Sequence, residues 1–331
     1  MIKKLNEKIK VAFIYRPCDA LETGKHYYSY EYHFFFSALK RNPRIDVTYI
    51  KTSSTFDANS LKSKFDTILL YENRNVCEPD EIIGLQSLTI PVIAQLGDAH
   101  ASKLFDFRYY HEKWKIDAYF NFFTQDYVYQ YYPRNYKYKT ITGWLESSLY
   151  SNLTPFSNRI KNTILNSGAV ANTKLRSRII NKIIHSGTNP YKHYKLRSMC
   201  NKLPYVAYTT TLQHEYVGDK YPQLLQKYRS AIAAATTTYA PKFFEIPAAG
   251  CMTFMEITTK NYGEYLGYKD EETAIFINEK NYEEKFNEYL EDLDNPKWEK
   301  IANAGRIHAL ENFNNDVGIN SLVDLMEELI K

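Results

Sequence analysis

The chain of 331 residues has no run of about eighteen consecutive apolar residues, so no transmembrane helix is expected. Its four cysteines, Cys18, Cys77, Cys200 and Cys251, lie far apart and form no Cys-x-x-Cys pair. That spacing indicates neither a zinc site nor a disulfide framework, and free, mostly buried thiols in a reducing compartment are expected. The first ten residues are charged and run into a strand without the apolar stretch of a signal peptide. A cytoplasmic location is expected, in which the sequon Asn152-Leu153-Thr154 would go unused. Neither Gly-x-Gly-x-x-Gly nor a Gly-x4-Gly-Lys-Ser/Thr loop occurs, which argues against a dinucleotide dehydrogenase and a P-loop ATPase. The charge is nearly balanced at +4, which does not make the dense basic patch of a nucleic-acid binder. It suits an anionic small molecule or an anionic membrane face.

Aromatic residues are plentiful, with 30 Tyr and 18 Phe. Tyr packs half-buried with its hydroxyl wet, which fits clefts and polar ligands, although a compositional bias of the source genome yields the same count. At about 100–200 residues per domain the length allows two domains. Short apolar runs at Lys10–Tyr15, Asp46–Ile50, Phe65–Tyr71, Ile90–Leu96, Asp117–Phe123 and Lys139–Thr142 read as strands. Tyr30–Lys40 and Glu81–Ser87 read as helices between them. A polar stretch, Tyr150–Lys161, reads as a linker. The second half repeats the rhythm, with strands at Asn162–Asn166, Leu203–Tyr208, Ala231–Ala235, Cys251–Ile257 and Ala274–Ile277. Its helices are expected at Arg176–His185, Tyr221–Ser230, Pro241 to Gly250, Tyr282–Leu293, Pro296–Asn312 and Asp316–Ile330. Alternation of this kind predicts parallel sheets covered by helices on both faces.

The segment Ala240–Met255, APKFFEIPAAGCMTFM, resembles the donor-binding segment of group 1 glycosyltransferases, closest to the short-chain, spore-maturation-type branch. There a basic residue and a Glu open a helix of the form [RK]-x-x-E-x-x-A-x-G, matched here by Lys242, Glu245, Ala248 and Gly250. Lys297–Phe313 resembles the same families' "IAxxGRxxxLxxF" helix, and Tyr282–Leu290 their preceding segment. Asn166-Ser167-Gly168 with Lys174–Arg178 resembles the opening of their C-terminal domain. The resemblance implies a GT-B fold, two Rossmann-like α/β domains with parallel sheets facing across a cleft and a C-terminal helix crossing back to the N-terminal domain. It divides the chain into an acceptor-side domain 1–155, a nucleotide-sugar domain 156–315 and a C-terminal helix 316–331. It also implies a donor such as a UDP- or GDP-sugar, with Lys242 on its diphosphate and Glu245 accepting both ribose hydroxyls. Glu245 as a first-turn complement to the helix dipole is the plainer alternative. Gly168, Arg176 and Arg178 are candidates for the diphosphate, and Thr237 and Tyr239 for the rest of the donor. The larger families carry an earlier Glu that falls here at Thr237, so a retaining mechanism is not implied.

On the acceptor side, Gly97-Asp98-Ala99-His100 follows a strand and resembles the "DxH" of related enzymes. His100, oriented by Asp98, or Asp98 itself, is the candidate base for an inverting displacement, with a helix-capping Asp as the alternative. Arg108 and His111 are candidates for an acceptor sugar or its phosphate. Lys25 and His26, on a loop after the first strand, are further acceptor-side candidates or solvated loop residues. An Asp-x-Asp metal motif is not expected, which disfavours a metal-dependent GT-A enzyme, so a metal-independent transferase is expected, with no metal ligands and no cofactor beyond the donor. The acceptor is expected to be a glycan or a lipid- or protein-linked sugar, with peripheral membrane contact through surface Lys and Tyr compatible. A nucleotide-sugar epimerase, a catalytically silent glycan- or protein-binding module, and a two-lobed small-molecule binding protein are the competing readings.

Overall fold

The computed structural model describes residues 7–74, 76–102, 104–171, 190–209 and 215–331. The chain divides into two compact units, one of Met1–Gly24, Tyr28–Gly143 and Asn315–Lys331, the other of Lys25–Tyr27 and Trp144–Asn314.

The first unit is built on β1 (Ile9–Tyr15), β2 (Ile45–Lys51), β3 (Thr55–Asp57), β4 (Thr67–Leu70), β5 (Glu81–Ile83), β6 (Val92–Gln95), β7 (Ala118–Asn121) and β8 (Tyr138–Thr140). Six of these form one parallel sheet in the order β2-β1-β4-β6-β7-β8. Val11, Ala12, Phe13 and Ile14 are wholly buried in succession, as strands covered on both faces must be. From β1 the chain runs out to β2 and returns on the other side to β4, so the strand order reverses between β1 and β4. Ligands in open parallel sheets sit beyond the carboxyl ends of the strands at such a reversal. The C-terminal helix Asn315–Ile330 belongs to this unit. It buries Ile319, Leu322, Val323 and Met326, and Arg44 pairs with its Asp324 and Glu327 at 2.8 and 2.7 Å.

Three expectations for this unit change. Tyr30–Lys40 is not one α-helix. It is a π-turn over Tyr30–Phe34, a single α-turn Phe35–Ala38 and a 3-10 turn, which together bury Tyr32, Phe35 and Phe36 under the sheet. Glu81–Ser87 is not a helix either. Glu81–Ile83 alternates exposed and half-buried residues and pairs with β3 as a separate two-stranded sheet, and Leu85–Ser87 is a 3-10 turn. Finally, Cys18 and Cys77 are joined by a disulfide, with Cα atoms 6.0 Å apart. They are 59 residues apart in sequence, but each follows one of the adjacent strands β1 and β4, so the sheet brings them together. Cys200 and Cys251 are free and buried as expected.

The second unit contains β9 (Ile160–Ser167), β10 (Val206–Thr209), β11 (Tyr228–Ala233), β12 (Met252–Glu256) and β13 (Ile275–Ile277), parallel in the order β10-β9-β11-β12-β13. Its core gathers Ile164, Ile232, Met252, Phe254, Phe286 and Trp298 under the helices Tyr282–Glu291 and Pro296–Asn312. The expected helix Tyr221–Ser230 stops at Leu225, because β11 already begins at Tyr228. The expected helix Arg176–His185 lies outside the described residues. The order reverses between β9 and β11, the same plan as in the first unit. Among the described residues no helix is long and apolar enough to cross a membrane.

Candidate functional site

In the second unit, β9 delivers Ser167 and then Gly168 to the reversal point. Gly168 has φ 87°, a backbone that L side chains rarely adopt. A Cβ there would lie 2.7 Å from Lys242 Nζ and 3.3 Å from Arg197 Nη2, so both cationic ends converge on this glycine. Lys242 opens the helix Lys242–Ala248, one residue later than Pro241, which sits at the N-cap. Its ammonium donates to Ser167 Oγ and to the Tyr221 hydroxyl, each at 3.5 Å. Arg197, on the helix Lys195–Cys200, is 2% exposed. It donates to the carbonyls of Ala169 and Ala234, and its Nε has no partner among the described residues. Neither cation has a carboxylate within ion-pairing distance among the described residues.

Glu245, one turn after Lys242, is 7% exposed, and no described residue donates a hydrogen bond to its carboxylate. Burial pushes its pKa up, with Lys242 opposing. Burial and the neighbouring Arg197 push Lys242 down, with Glu245 opposing. Burial likewise lowers the Arg197 guanidinium. The site thus carries two desolvated cations against one carboxylate, and each charge is costly where it stands.

Beside it, the threonine run lies after β11. Thr237 hydrogen-bonds the His193 ring, and Thr236 donates to Glu256 Oε2 at 3.4 Å. Glu256 ends β12, is 3% exposed, and is pushed up to about 7 by burial. A buried carboxylate therefore stands next to the threonines, supplied by the neighbouring strand. Tyr239 is not at an open pocket. It is 1% exposed and packs at 6.1 Å against Phe244. Arg176 and Arg178 lie outside the described residues.

In the first unit, Asp98 is exposed and precedes the 3-10 turn Ala99–Ala101, which its side chain does not cap. Its carboxylate has no hydrogen bond among the described residues, so it does not orient His100, whose Nδ1 lies 3.5 Å from the Tyr127 hydroxyl. The charge of Asp98 acts on Glu72, Arg74 and Tyr132, and Glu72 is the carboxylate among them. This carboxylate, wholly buried just after β4, accepts from Tyr32 at 3.1 Å and pairs with Arg74. Burial raises the pKa of Glu72, with Arg74 opposing. Gly97 makes this pair possible, because a Cβ there would overlap Glu72 Oε1 and lie 2.6 Å from Arg74 Nε. Glu78, also wholly buried, accepts the backbone N–H groups of Glu72, Val76 and Cys77 and holds the turn that presents Glu72 and Arg74. Burial, then Glu72, pushes it up to about 8.

Arg108 and His111 sit on the helix Phe107–Lys113. Arg108 points to solvent, whereas His111 is stacked on Tyr136 at 3.7 Å and hydrogen-bonded to the Tyr119 hydroxyl at 2.8 Å. Burial lowers its pKa. Lys25 is exposed, and His26 stacks on Tyr27; both are grouped with the second unit. Among the described residues no group of three His, Cys, Asp or Glu is placed to hold a metal. One Asp-x-Asp does occur, Asp292-Leu293-Asp294, at the amino ends of β9 and β11 rather than their carboxyl ends, and Asp294 is engaged there by Lys161 and Arg229.

Arg197, Glu72, Arg74 and Glu256 were the residues that sequence reasoning did not assign. No local signal distinguished Arg197, which shares its short helix with Lys195 and is flanked by Lys192 and Lys202.

Solved structures of similar fold include enzymes of sugar transfer. A glycosyltransferase from Rickettsia africae aligns over 98% of this chain and 99% of its own, with 12% identity and a TM-score of 0.56. HepE from Anabaena, in complex with UDP-glucose, aligns over 97% and 100%, with 12% identity and a TM-score of 0.54. Sucrose-phosphate synthase from Thermosynechococcus elongatus aligns over 97% and 99%, with 12% identity and a TM-score of 0.56. The fold is GT-B. No protein-family model matches the sequence, and no curated protein matches it. At this identity the likeness establishes the GT-B architecture, and the chemistry rests on the residues above.

Proposed function

We propose that the chain is a glycosyltransferase that moves a hexosyl or pentosyl unit from a nucleotide-diphosphate sugar, of the UDP or GDP kind, to a hydroxyl of a glycan or of a lipid- or protein-linked sugar. The observation that carries this reading is the convergence of two cations on Gly168, the buried Arg197 and the half-buried Lys242, with no carboxylate in ion-pairing range among the described residues. Buried charge without a partner is strongly unfavourable, and a diphosphate is the ligand that relieves two cations at once. Glu245, beside them with free acceptor oxygens, suits the vicinal hydroxyls of a ribose. That HepE is held in complex with UDP-glucose supports the same choice of ligand.

Lys242 and Arg197 also stabilise the charge that develops on the leaving diphosphate, so the reaction proceeds without a metal and needs no cofactor beyond its donor. The helix Lys242–Ala248 has only seven residues, so the side-chain cations carry this role. His100 is the base if the displacement inverts, steadied by the Tyr127 hydroxyl. Membership of the spore-maturation-type branch rests on the Lys242–Gly250 and Lys297–Phe313 segments. The expected cytoplasmic location stands against the Cys18–Cys77 disulfide, since thiols stay reduced in that compartment.

The test is donor hydrolysis. The chain is incubated with UDP-, GDP- and CMP-sugars, with and without EDTA, and released nucleotide is measured. Release of UDP or GDP unaffected by EDTA, and lost in Lys242→Ala and Glu245→Ala, is expected. Failure to turn over any donor while a nucleotide diphosphate still raises the melting temperature would leave a silent binding module instead.

A further inference from the structure

The first unit encloses a cavity of about 530 Å³, within the range of small-ligand pockets. It opens at the carboxyl ends of β1 and β4, where the strand order reverses. Its floor holds Tyr71, Glu72 and Arg74, and three of their polar atoms, the Tyr71 hydroxyl, Glu72 Oε2 and Arg74 Nε, are buried without a partner among the described residues. One is an acceptor, one a donor and one either. A ligand rich in hydroxyls satisfies such a set, because each hydroxyl both donates and accepts. The rim is apolar and open to solvent, with Leu104, Phe105 and Tyr109 exposed by 75%, 39% and 51%. Exposed rings above a polar floor offer stacking to the C–H face of a pyranose.

Charge narrows the class. Among the described lining residues the one cation, Arg74, is already paired with Glu72, and Asp106 in the lining and Asp98 nearby add negative charge. Lys113 Nζ stands over the Tyr109 ring at 5.3 Å, at the rim, and a phosphate or uronate finds no unpaired cation at the floor among the described residues.

We propose that this cavity binds a neutral pyranose, with its hydroxyls on Glu72, Arg74 and Tyr71 and its ring against Phe105 and Tyr109. Its further role, as the site of the acceptor's terminal sugar, rests on the transferase reading.

The test is a calorimetric and saturation-transfer NMR titration of the full chain, without nucleotide. The probes are neutral methyl glycosides and disaccharides of gluco, galacto and manno configuration, and the corresponding uronates. Saturable binding of at least one neutral probe is expected, at least tenfold tighter than its uronate. Phe105→Ala and Tyr109→Ala, both on exposed rim side chains that the fold tolerates, are each expected to weaken it at least tenfold, and Glu72→Gln to do the same. The proposal is overturned if no neutral probe binds, if a uronate binds as well, or if the rim variants bind as the parent does. A parallel UDP titration separates the two readings. UDP bound with no saccharide bound removes this site and leaves the transferase, whereas the reverse leaves a sugar-binding site and removes the donor.

Discussion

The two units repeat one plan of parallel strands, with the order reversing beside the first strand of each sheet, and they place opposite charge at that point. In the first unit Glu72 and Arg74 neutralise each other, with Asp98 and Asp106 close by. In the second, Lys242 and Arg197 converge on Gly168 against the single carboxylate of Glu245. The strand plan fixes where a ligand is held, and one or two side chains after the strands fix its class. One floor suits a polyhydroxyl molecule without charge, the other a diphosphate.

The largest way to break this comparison is covalent. Only the first unit is cross-linked, by Cys18–Cys77 across a 59-residue separation, and a loop of that length is worth about 4 kcal/mol in the chain-entropy model. Reductant, or Cys18→Ser, is expected to lower the melting temperature and to release the turn carrying Glu72 and Arg74. Cys200→Ala, in the second unit, is expected to leave reductant sensitivity unchanged. A calorimetric scan with and without reductant on the parent and both variants checks this.

A matched pair of glycine substitutions comes next. Gly97→Ala drives a methyl into Glu72 and Arg74, and Gly168→Ala drives one against Lys242 in a left-handed backbone. Overpacking of this kind costs about 1–3 kcal/mol. Each is expected to weaken its own ligand at least tenfold and to leave the other's affinity within about twofold, because the two substitutions touch no common side chain. Cross-effects in the two titrations would show that the floors are not separate.

The most gradual expected effect is a slope with pH. Glu256 is raised from 4.5 to about 7 in the folded chain, chiefly by burial, so folding favours its protonated form. Its contribution to stability is complete below about pH 4.5 and is lost as pH rises through 7, at up to about 1.4 kcal/mol per unit. Glu78 in the first unit, raised to about 8, extends the loss to that pH. Urea denaturation from pH 5 to 8 is expected to show falling stability, with a flatter profile in Glu256→Gln.

Much of this was legible in the sequence. Buried parallel strands read as short apolar runs, and a stop at Gly250 and a start near Pro241 marked the helix that carries Lys242 and Glu245. Gly168 stood out as a close-approach glycine, although the groups that approach it are Lys242 and Arg197. The misses share a cause. The disulfide, the Glu72–Arg74 floor and the placing of Arg197 beside Lys242 each join residues distant in sequence or dependent on sheet neighbours, which no local pattern encodes. Glu72 follows the run TILLY as many solvent-facing carboxylates follow strands, and only its burial beside Gly97 distinguishes it. Tyr239, a candidate for the donor, and His111, a candidate for the acceptor, are both packed on other rings, a placement that local sequence does not reveal.

The most direct test of the central claim is a calorimetric titration of UDP into the parent chain, Lys242→Ala and Arg74→Ala. The account predicts saturable binding to the parent and a loss of about thirtyfold or more in Lys242→Ala, as for a desolvated charge pair worth ~2–5 kcal/mol, with Arg74→Ala within about twofold of the parent. Absence of UDP binding to the parent, or undiminished binding to Lys242→Ala, would contradict it.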